Sequence, residues 1–341
     1  MPAPTLRLLL SIGLSALSLS AAETAAPPSP RLRLVNTIPL PKVEGPIGGI
    51  AFDQPRRHLL VAATGNNTVE VVEVNTGRLI QSIPGLHEPQ GIAFARDLNR
   101  FAAANRKEGS IALYDANTLD LLSSVPLAGS VDIVRYDSKP HILWVGYSKD
   151  PGFLVAVDLQ EMQDIGRVKL EGCPALFQFE TGGPFLYVII PKAGHIAVVD
   201  RNRCNIAAKW PIASVSDFHS MALDEIGHRL FIAGRNPSKL LVLNTKTGGL
   251  VASLDITGDA DDMFFDPVLR RLLVIGGEGS ITMIAMETAD TYRVLETIPT
   301  ARGARAACYL GTARQLYLAV PHDGDQQAEI RVFSLSAGGV R

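Results

Sequence analysis

Histidine and carboxylate side chains stand in short polar segments that each lead into an apolar run of this chain. Imidazoles and carboxylates can transfer protons near neutral pH or bind a metal ion. The candidate site residues in these segments are His87, Glu88, Asp132, Asp217, His219, Asp261, Asp262, Arg302 and Arg305. If the fold brings the segments together, their side chains predict a site that binds a ligand or a metal ion, or that works by acid–base catalysis.

No spacing among these residues matches a known catalytic or metal-binding motif. No two histidines have the spacing of metal ligands, and the chain lacks GxSxG, HExxH, P-loop and Rossmann glycine patterns. Loop residues are commonly polar because water solvates them. The preferred interpretation is therefore a solvated loop surface without a bound metal or cofactor, and convergence of distant segments is the alternative.

The segment GDADDMFFD, residues 258–266, has the highest local density of negative charge. Clustered carboxylates can bind Ca²⁺, which takes several oxygen ligands. The spacing of an EF-hand loop and its terminal glutamate are absent. We therefore predict a solvated acidic lip here and no cation site.

A second group of candidates, which we call the basic rim, lies in polar turns between apolar runs. It consists of Arg56, Arg57, Arg100, Arg229, Arg270 and Arg271. Guanidinium groups could contact the phosphates of nucleic acid or lipid. However, no aromatic residues alternate with them for base stacking, and arginine stems can cover apolar strand edges while their charge stays in water. We prefer the second account.

The apolar runs that flank these candidate residues repeat along the chain. A large apolar residue marks the first run of each unit, at Phe52, Phe94, Tyr136, Phe179, Leu223, Phe265 and Tyr309, so the steps are 42, 42, 43, 44, 42 and 44 residues. Two more runs follow in each unit, and a fourth follows in six of the seven. These runs are rich in Val, Ile, Leu and aromatic residues and are bounded by turn residues, which predicts β-strands.

Four antiparallel strands per unit and a period of about 40 to 45 residues are typical of a β-propeller. The seventh unit lacks its fourth strand, whereas residues 31–38 resemble the last strand of a unit but precede the first one. An open ring would expose strand edges and apolar faces. The sequence therefore predicts an all-β, seven-bladed β-propeller over residues 31–335, closed by the N-terminal strand 31–38, which completes the last blade.

Composition agrees with many short buried strands and gives no global sign of a polyanionic partner. Hydrophobic residues make up 47% and charged residues 19%, with 30 glycines, 22 prolines and a formal net charge of -2. The three cysteines have no CxxC spacing, so we expect buried free thiols and no metal or redox centre.

The first residues predict export. One arginine precedes an apolar run over residues 8–19, and Ala22 ends a group of small residues, which is typical of a secretory signal peptide. The run is shorter than the ~20 residues of a membrane-spanning helix. We expect a signal peptide over 1–22, a tether over 23–30, a tail over 336–341, and a mature protein that is periplasmic or secreted and does not span the membrane.

The repeat also resembles a known family. The pattern GIAFD, a turn, LLVAAT and NNTVEVVEVNTGRLIQSIP is similar to the YVTN-type β-propeller repeat of exported, YncE-like bacterial proteins. LYVII at 186–190 is a variant of the naming motif, and no Trp-Asp dipeptide of the WD40 class occurs. The resemblance covers residues 31–335 and implies a seven-bladed ring and, for most members, a binding role.

In such a blade, the loop leading into the inner strand and the loop after the second strand lie at one mouth of the central channel. The first group of candidates therefore belongs to the mouth, and the basic rim belongs to the opposite face. We expect a monomeric, exported, non-catalytic binding or scaffold protein that holds a partner protein, a peptide or a small ligand at the mouth.

Two alternatives stay open. Similar propellers include lactone hydrolases, lyases and subunits of periplasmic dehydrogenases, and in such an enzyme His87, His219 and Glu88 or Asp217 would be the acid, the base or metal ligands. The other alternative, ranked lower, is a protein that binds nucleic acid or an anionic surface through the basic rim.

Overall fold

The computed structural model describes Met1 and residues 31–127, 129–148 and 151–336. Its strands form seven antiparallel four-stranded sheets, and the sheets follow one another as the blades of a ring. Among the described residues, regular helix is limited to two 3₁₀ turns, η1 (Thr64–Asn66) and η2 (Pro191–Ala193). The predicted all-β, seven-bladed propeller is confirmed.

Blades 1 to 4 are numbered in chain order. Blade 1 contains β2 (Ile50–Asp53), β3 (His58–Ala63), β4 (Thr68–Glu73) and β5 (Arg78–Ile83); blade 2 contains β6 (Pro89–Ala95), β7 (Arg100–Asn105), β8 (Ser110–Asp115) and β9 (Leu121–Pro126); blade 3 contains β10 (Val131–Asp137), β11 (Ile142–Tyr147), β12 (Phe153–Asp158) and β13 (Gln163–Lys169); blade 4 contains β14 (Leu176–Phe179), β15 (Phe185–Ile190), β16 (His195–Asp200) and β17 (Asn205–Pro211).

Blades 5 to 7 complete the ring. Blade 5 contains β18 (Ser216–Asp224), β19 (Arg229–Asn236), β20 (Ser238–Asn244) and β21 (Leu250–Asp255); blade 6 contains β22 (Ala260–Asp266), β23 (Arg271–Gly276), β24 (Ser280–Met286) and β25 (Tyr292–Pro299); blade 7 contains β26 (Ala307–Leu310), β27 (Gln315–Val320), β28 (Glu329–Leu335) and, as its outer strand, β1 (Leu32–Pro39).

The ring closes through β1. This strand pairs antiparallel with β28, from Leu32 opposite Leu335 to Pro39 opposite Glu329, with a register shift between Leu34 and Asn36. The chain's first described strand therefore completes the blade formed by its last three. The sequence placed this strand one residue earlier, at 31–38, and its role in closure is as predicted.

The core consists of layers between neighbouring blades. The second and third strands are buried on both faces, as the burial of Leu59, Leu60 and Val61 in β3 shows. On one face β3 packs against β1 and blade 7, where Ile38 and Ile330 are fully buried, and on the other face it packs against blade 2. Each buried aliphatic side chain contributes about 1.5–3 kcal/mol relative to an exposed one, so both blade interfaces stabilise the ring.

Carboxylates at the ends of third strands explain the repeated polar turns. Glu73 accepts hydrogen bonds from the amides of residues 75 and 76, and Asp115, Asp158 and Asp200 accept them from the amides two and three residues later. An Asp side chain that bonds its own turn favours the tight reversal between third and fourth strands. These acids are therefore structural.

The expectations about the chain ends and thiols have mixed outcomes. Most of the predicted signal peptide, the tether and residues 337–341 of the tail lie outside the described residues. Within the described part, no helix is long and apolar enough to cross a membrane. All three cysteines are free, but Cys204 is exposed and Cys173 and Cys308 are half-buried, so the expected burial is only partly observed.

Candidate functional site

The inner strands of the seven blades, β2, β6, β10, β14, β18, β22 and β26, surround one cavity of about 1390 Å³, which we call the central cavity. Its upper part is formed by the loops that lead into these strands and by the loops after the second strands. Seven of the nine mouth candidates line it, namely Asp132, Asp217, His219, Asp261, Asp262, Arg302 and Arg305. The ring thus brings together side chains that are up to 173 residues apart (305 − 132).

The other two mouth candidates, His87 and Glu88, do not line this cavity. Their backbone joins blades 1 and 2: the His87 amide donates to Asn105 Oδ1 at 3.1 Å and the Glu88 amide donates to Asn67 Oδ1 at 2.8 Å. His87 is exposed. The convergence of His87 with His219, which the enzyme alternative needs, is therefore not observed.

A residue in the left-handed conformation recurs at the entrance to three of the inner strands. Glu88, Asp217 and Asp259 each stand six residues before the marker residue of their unit, and their φ angles are 51°, 55° and 51°. This left-handed conformation is uncommon for a residue with a Cβ. Asp217 and Asp259 line the central cavity and Glu88 does not, so this conformation alone does not decide which side chains enter the channel.

Blades 1 and 2 contribute mainly backbone to the channel wall. The Gly49 amide donates to the Gln90 carbonyl at 2.7 Å, which joins their inner strands directly. A Cβ on Gly49 would lie 2.9 Å from that carbonyl, and a Cβ on Gly91 would lie 2.5 Å from the Asp132 carbonyl. These glycines permit the close approach of neighbouring inner strands, and apart from Arg106 the charged side chains of the wall come from the other blades.

The acidic segment of blade 6 is paired with arginines from both neighbouring blades. Arg235 of blade 5 lies 3.2 Å from Asp259 Oδ1 through its Nε and also forms an ion pair with Asp261. Arg305, in the loop before β26 of blade 7, approaches Asp259 Oδ2 to 2.9 Å. The predicted solvated acidic lip is therefore an ion-pair network that links three blades. No group of three or more potential metal-ligating residues occurs within the described residues.

Two further pairs line the upper cavity. Arg106 of blade 2 lies 3.1 Å from Asp132 Oδ1, and the Ser148 hydroxyl donates to Asp132 Oδ2 at 2.9 Å. On the other side, His219 Nε2 is 2.6 Å from Asp217 Oδ1. An imidazole that bonds a carboxylate has its tautomer and orientation defined, so the His219–Asp217 pair has the geometry of an acid–base element.

A third group lies deeper in the channel and consists of Arg135, Asp262 and Cys308 from three different blades. Burial, and to a smaller extent the neighbouring Asp261, raise the pKa of Asp262 to about 7. The Ala307 amide, which donates to Asp262 Oδ2 at 2.8 Å, and the nearby Arg135 act in the opposite direction and lower this pKa. Burial also lowers the pKa of Arg135. Burial raises the pKa of the Cys308 thiol to about 12, which keeps it protonated and weakly reactive.

Arg135 is absent from the candidates chosen from the sequence. It lies within the apolar run of β10, between Val134 and Tyr136, and not in a polar loop. A charged residue in the middle of a predicted inner strand was the available signal, because such a strand has one face toward the channel.

The channel continues below this group. A smaller cavity of about 240 Å³ shares four lining residues with the central cavity, namely Gln178, Met263, Phe264 and Tyr309. Tyr309 donates its hydroxyl hydrogen to Asp266 Oδ2. Three of the four shared side chains are bulky and apolar or aromatic, so they form a floor between the mouth and the opposite face.

Most arginines of the basic rim connect neighbouring blades or brace their own turn. Arg56 pairs with Asp53 at 2.8 Å and contacts Asn99 and Asn117 of blade 2. Arg100 of blade 2 donates to the Leu159 carbonyl of blade 3 at 3.2 Å. These side chains cross from one blade to the next, which the sequence did not indicate.

The remaining rim residues vary in exposure. Arg229 is only 8% exposed and donates from Nε to the Ala289 carbonyl of blade 6 at 2.9 Å. Arg57 donates to Asn75 Oδ1 at 3.2 Å and lies over the Phe52 ring. Arg271 donates to the carbonyl of residue 269 at 3.0 Å, and Arg270 is exposed. The expectation that these charges stay in water is wrong for Arg229, and the rim offers few free guanidinium donors for phosphates.

Comparison with known proteins supports the architecture. No family model matches the chain. Over 123 residues it is 32% identical to the seven-bladed beta-propeller protein Rv1057 of Mycobacterium tuberculosis, and the aligned part covers 35% of this chain and 31% of that protein. The chain therefore matches about a third of the length of this curated relative.

Solved structures share the fold at low sequence identity. Kuenenia stuttgartiensis hydrazine synthase matches with a TM-score of 0.74 at 15% identity, over 82% of this chain and 93% of that one. A chain of the mitotic checkpoint complex matches with a TM-score of 0.73 at 12% identity, over 96% of this chain and 98% of that one. One is named as a synthase and the other as a checkpoint complex, and at these identities the likeness shows the propeller fold alone.

Proposed function

We propose that this protein is an exported, non-catalytic binding protein of the YVTN-type propeller class and that it holds a small ligand or a peptide segment in the central cavity. One observation carries the proposal: charged side chains of blades 3, 5, 6 and 7 converge on a single cavity of about 1390 Å³. Small-molecule sites usually have roughly 300–1,000 Å³, so the cavity has room for a ligand together with water.

The pairing of the mouth charges supports binding over catalysis. Asp132, Asp259 and Asp261 each have an arginine partner, so these three mouth carboxylates are already neutralised and fixed in position. Because these charged side chains are already held in place, binding a ligand orders few additional side chains, and the fixed charges select ligands of complementary shape and charge. The ring also fixes the loops on a rigid support, as binding sites on propellers require.

The test is a thermal-shift screen of the purified protein against small metabolites and short peptides, with one variant that fills the cavity. Ala175, which lines the cavity, is replaced by Trp, and Leu122→Trp on the outer strand β9 is the matched control. A ligand at 100 times its Kd stabilises the folded state by about 2.7 kcal/mol, which is roughly 5 °C in Tm for a protein of this size.

We expect ligands that raise the Tm of the wild-type protein and of Leu122→Trp but not of Ala175→Trp. If every stabilising compound acts equally on Ala175→Trp, or if none acts on the wild-type protein, the central cavity is not the binding site. Circular dichroism spectra and baseline Tm values of both variants control for folding.

A second candidate function is acid–base catalysis in the same cavity, in line with the hydrolases and lyases among similar propellers. The 2.6 Å distance between His219 and Asp217 favours it, together with the Asp262 carboxyl, whose pKa of about 7 suits proton transfer near neutral pH. The test is turnover of a panel of lactones and esters by the wild-type protein and by His219→Ala. Activity that is absent, or that His219→Ala retains in full, refutes this candidate.

A further inference from the structure

Arg135 has an unusual environment for an arginine inside a protein. Its guanidinium donates one hydrogen bond, from Nη1 to the Val134 carbonyl at 3.1 Å, and forms no ion pair with any carboxylate of the described residues. An arginine has five N–H donors. Most of the donors of this side chain are therefore free, inside a cavity where the charge is partly removed from bulk water.

The other arginines around the cavity differ in this respect. Arg106, Arg235 and Arg305 each have a carboxylate partner, and Arg302 is exposed at the rim of the mouth. Arg135 thus combines a half-buried position with the absence of an ion-pair partner in the described part of the chain. Burial lowers its pKa, which means that the surroundings disfavour the charge and that an anion beside it would relieve this cost.

Part of the wall of the central cavity is apolar. Ile50, Leu176, Met221 and Phe264 come from four different blades and line the same cavity. These side chains could contact the hydrocarbon body of a ligand whose charged end meets the guanidinium. The combination of an apolar wall and one guanidinium fork matches a carboxylate, which pairs with arginine through two parallel hydrogen bonds.

We propose that Arg135 anchors a binding site for a small organic carboxylate in the central cavity and that the apolar body of this ligand lies against Ile50, Leu176, Met221 and Phe264. This assignment rests on the proposed binding function and adds the chemical class of the ligand. A phosphate dianion fits less well, because the side chains nearest to Arg135 supply no second cation and include the carboxyl of Asp262.

Asp262 makes the site dependent on pH. Asp261 on the same strand and Arg135 from β10 act on the Asp262 carboxyl. From β26, the Cys308 thiol and the Ala307 amide also act on it. The charge of Asp261 is influenced in turn by His219, Arg235 and Arg305. A protonated Asp262 can donate a hydrogen bond to a carboxylate ligand, whereas an ionised one repels it. Carboxylate binding therefore weakens as the pH rises through about 7.

The test uses the full chain, with hexanoate as the probe and 1-hexanol as its uncharged analogue, measured by calorimetry at pH 6 and pH 8. Arg135→Gln removes the charge, and Arg293→Gln, on the outer strand β25, is the matched control. A hydrogen bond to a charged group corresponds to about 1.5–3 kcal/mol, which is roughly a 10- to 100-fold change in Kd.

We expect hexanoate to bind the wild-type protein and Arg293→Gln alike, and to bind Arg135→Gln at least about tenfold more weakly. Asp262→Asn should remove most of the difference between pH 6 and pH 8. If Arg135→Gln is poorly folded by circular dichroism, Arg135→Lys replaces it, because lysine keeps the charge but lacks the planar fork; a several-fold loss is then expected.

Several results would overturn the assignment: no binding of hexanoate, equal affinity for 1-hexanol, unchanged affinity in the folded Arg135 variant, or displacement of hexanoate by inorganic phosphate at equal concentration. These results are separable from failure of the binding function itself. If the thermal-shift screen finds ligands that Ala175→Trp excludes while hexanoate does not bind, the binding function stands and the carboxylate assignment is wrong.

Discussion

Replacing Asp262 by Asn tests the electrostatics of the channel directly. Asn has nearly the same shape and its side-chain oxygen can still accept the hydrogen bond from the Ala307 amide, but it cannot ionise. The folded wild-type protein binds the Asp262 proton more tightly than the unfolded chain does, since the pKa is about 7 in the fold and 3.8 for a free aspartate. Folding is therefore more favourable when the Asp262 carboxyl is protonated than when it is ionised.

The size and direction of the effect follow from these two values. Between pH 3.8 and about 7 the folded state holds a proton that the unfolded chain has lost, so raising the pH through this window destabilises the wild-type protein. Each pKa unit corresponds to about 1.4 kcal/mol, which sets an upper limit of about 4 kcal/mol on the loss. Water in the open channel screens the charge, and we expect about 2 kcal/mol.

Urea unfolding at pH 3.5, below the pKa of a free aspartate, and at pH 8 measures the effect. Asp262→Asn should be close to the wild-type protein at pH 3.5 and more stable than it at pH 8, by about 2 kcal/mol. Asp255→Asn, on the outer strand β21 where the carboxylate is 87% exposed, should not change the pH dependence. A difference between Asp262→Asn and wild type that is equal at the two pH values, within about 0.5 kcal/mol, would refute the reasoning.

Three further predictions concern closure, blade contacts and export. Ile38→Ala, at a fully buried position of β1, should lower the free energy of unfolding by about 2–5 kcal/mol, whereas Val35→Ala, exposed on the same strand, should change it little. Urea unfolding measures both, and equal effects would contradict closure by β1. Arg201→Ala breaks the buried ion pair with Asp137 between blades 4 and 3 and should lower the free energy of unfolding by roughly 3 kcal/mol, whereas Arg203→Ala, at an exposed position, should have a small effect. A small loss of unfolding free energy in both variants would show that the ion pair is dispensable. The full chain expressed in a Gram-negative host should be cleaved after Ala22, which N-terminal sequencing of the periplasmic fraction checks; an uncleaved cytoplasmic product would contradict export.

The blades were predictable because their information is local and repeated. Each strand is a short run of β-branched and large apolar residues between turn residues, and the run recurs every 42 to 44 residues. Each apolar run alone predicts a strand only weakly, but the recurrence of the same pattern in seven units makes the assignment of strands and blades strong. Even the pairing of β1 with β28 could be inferred, because an unpaired strand at one end and a missing strand at the other leave one closed solution.

The candidate site was predictable only in outline. Knowing the loops of the mouth was enough to name Asp217, His219 and Asp262, but not which loop residues turn into the channel. His87 belongs to the same class of loop as His219, yet it lies outside the central cavity. His87 stands seven residues before the marker residue of its unit and His219 stands four before its own. Gln90, the blade 2 residue at the position of His219, does line the cavity, so the register within the unit separates the two histidines. The charged partners of each side chain come from neighbouring blades and are not properties of a single segment.

The number of blades and the strand order followed from the amino-acid sequence alone, because they depend on hydrophobic period and turn chemistry within about 40 residues. Closure followed from the unpaired strand at one end of the chain and the missing strand at the other. Only the tertiary structure decided the charges: that Arg235 and Arg305 neutralise the acidic segment, and that Arg135 enters the channel without an ion-pair partner in the described residues. Ion pairing and burial depend on distances between blades. Residues far apart in the chain acquire those distances only when seven blades share one axis.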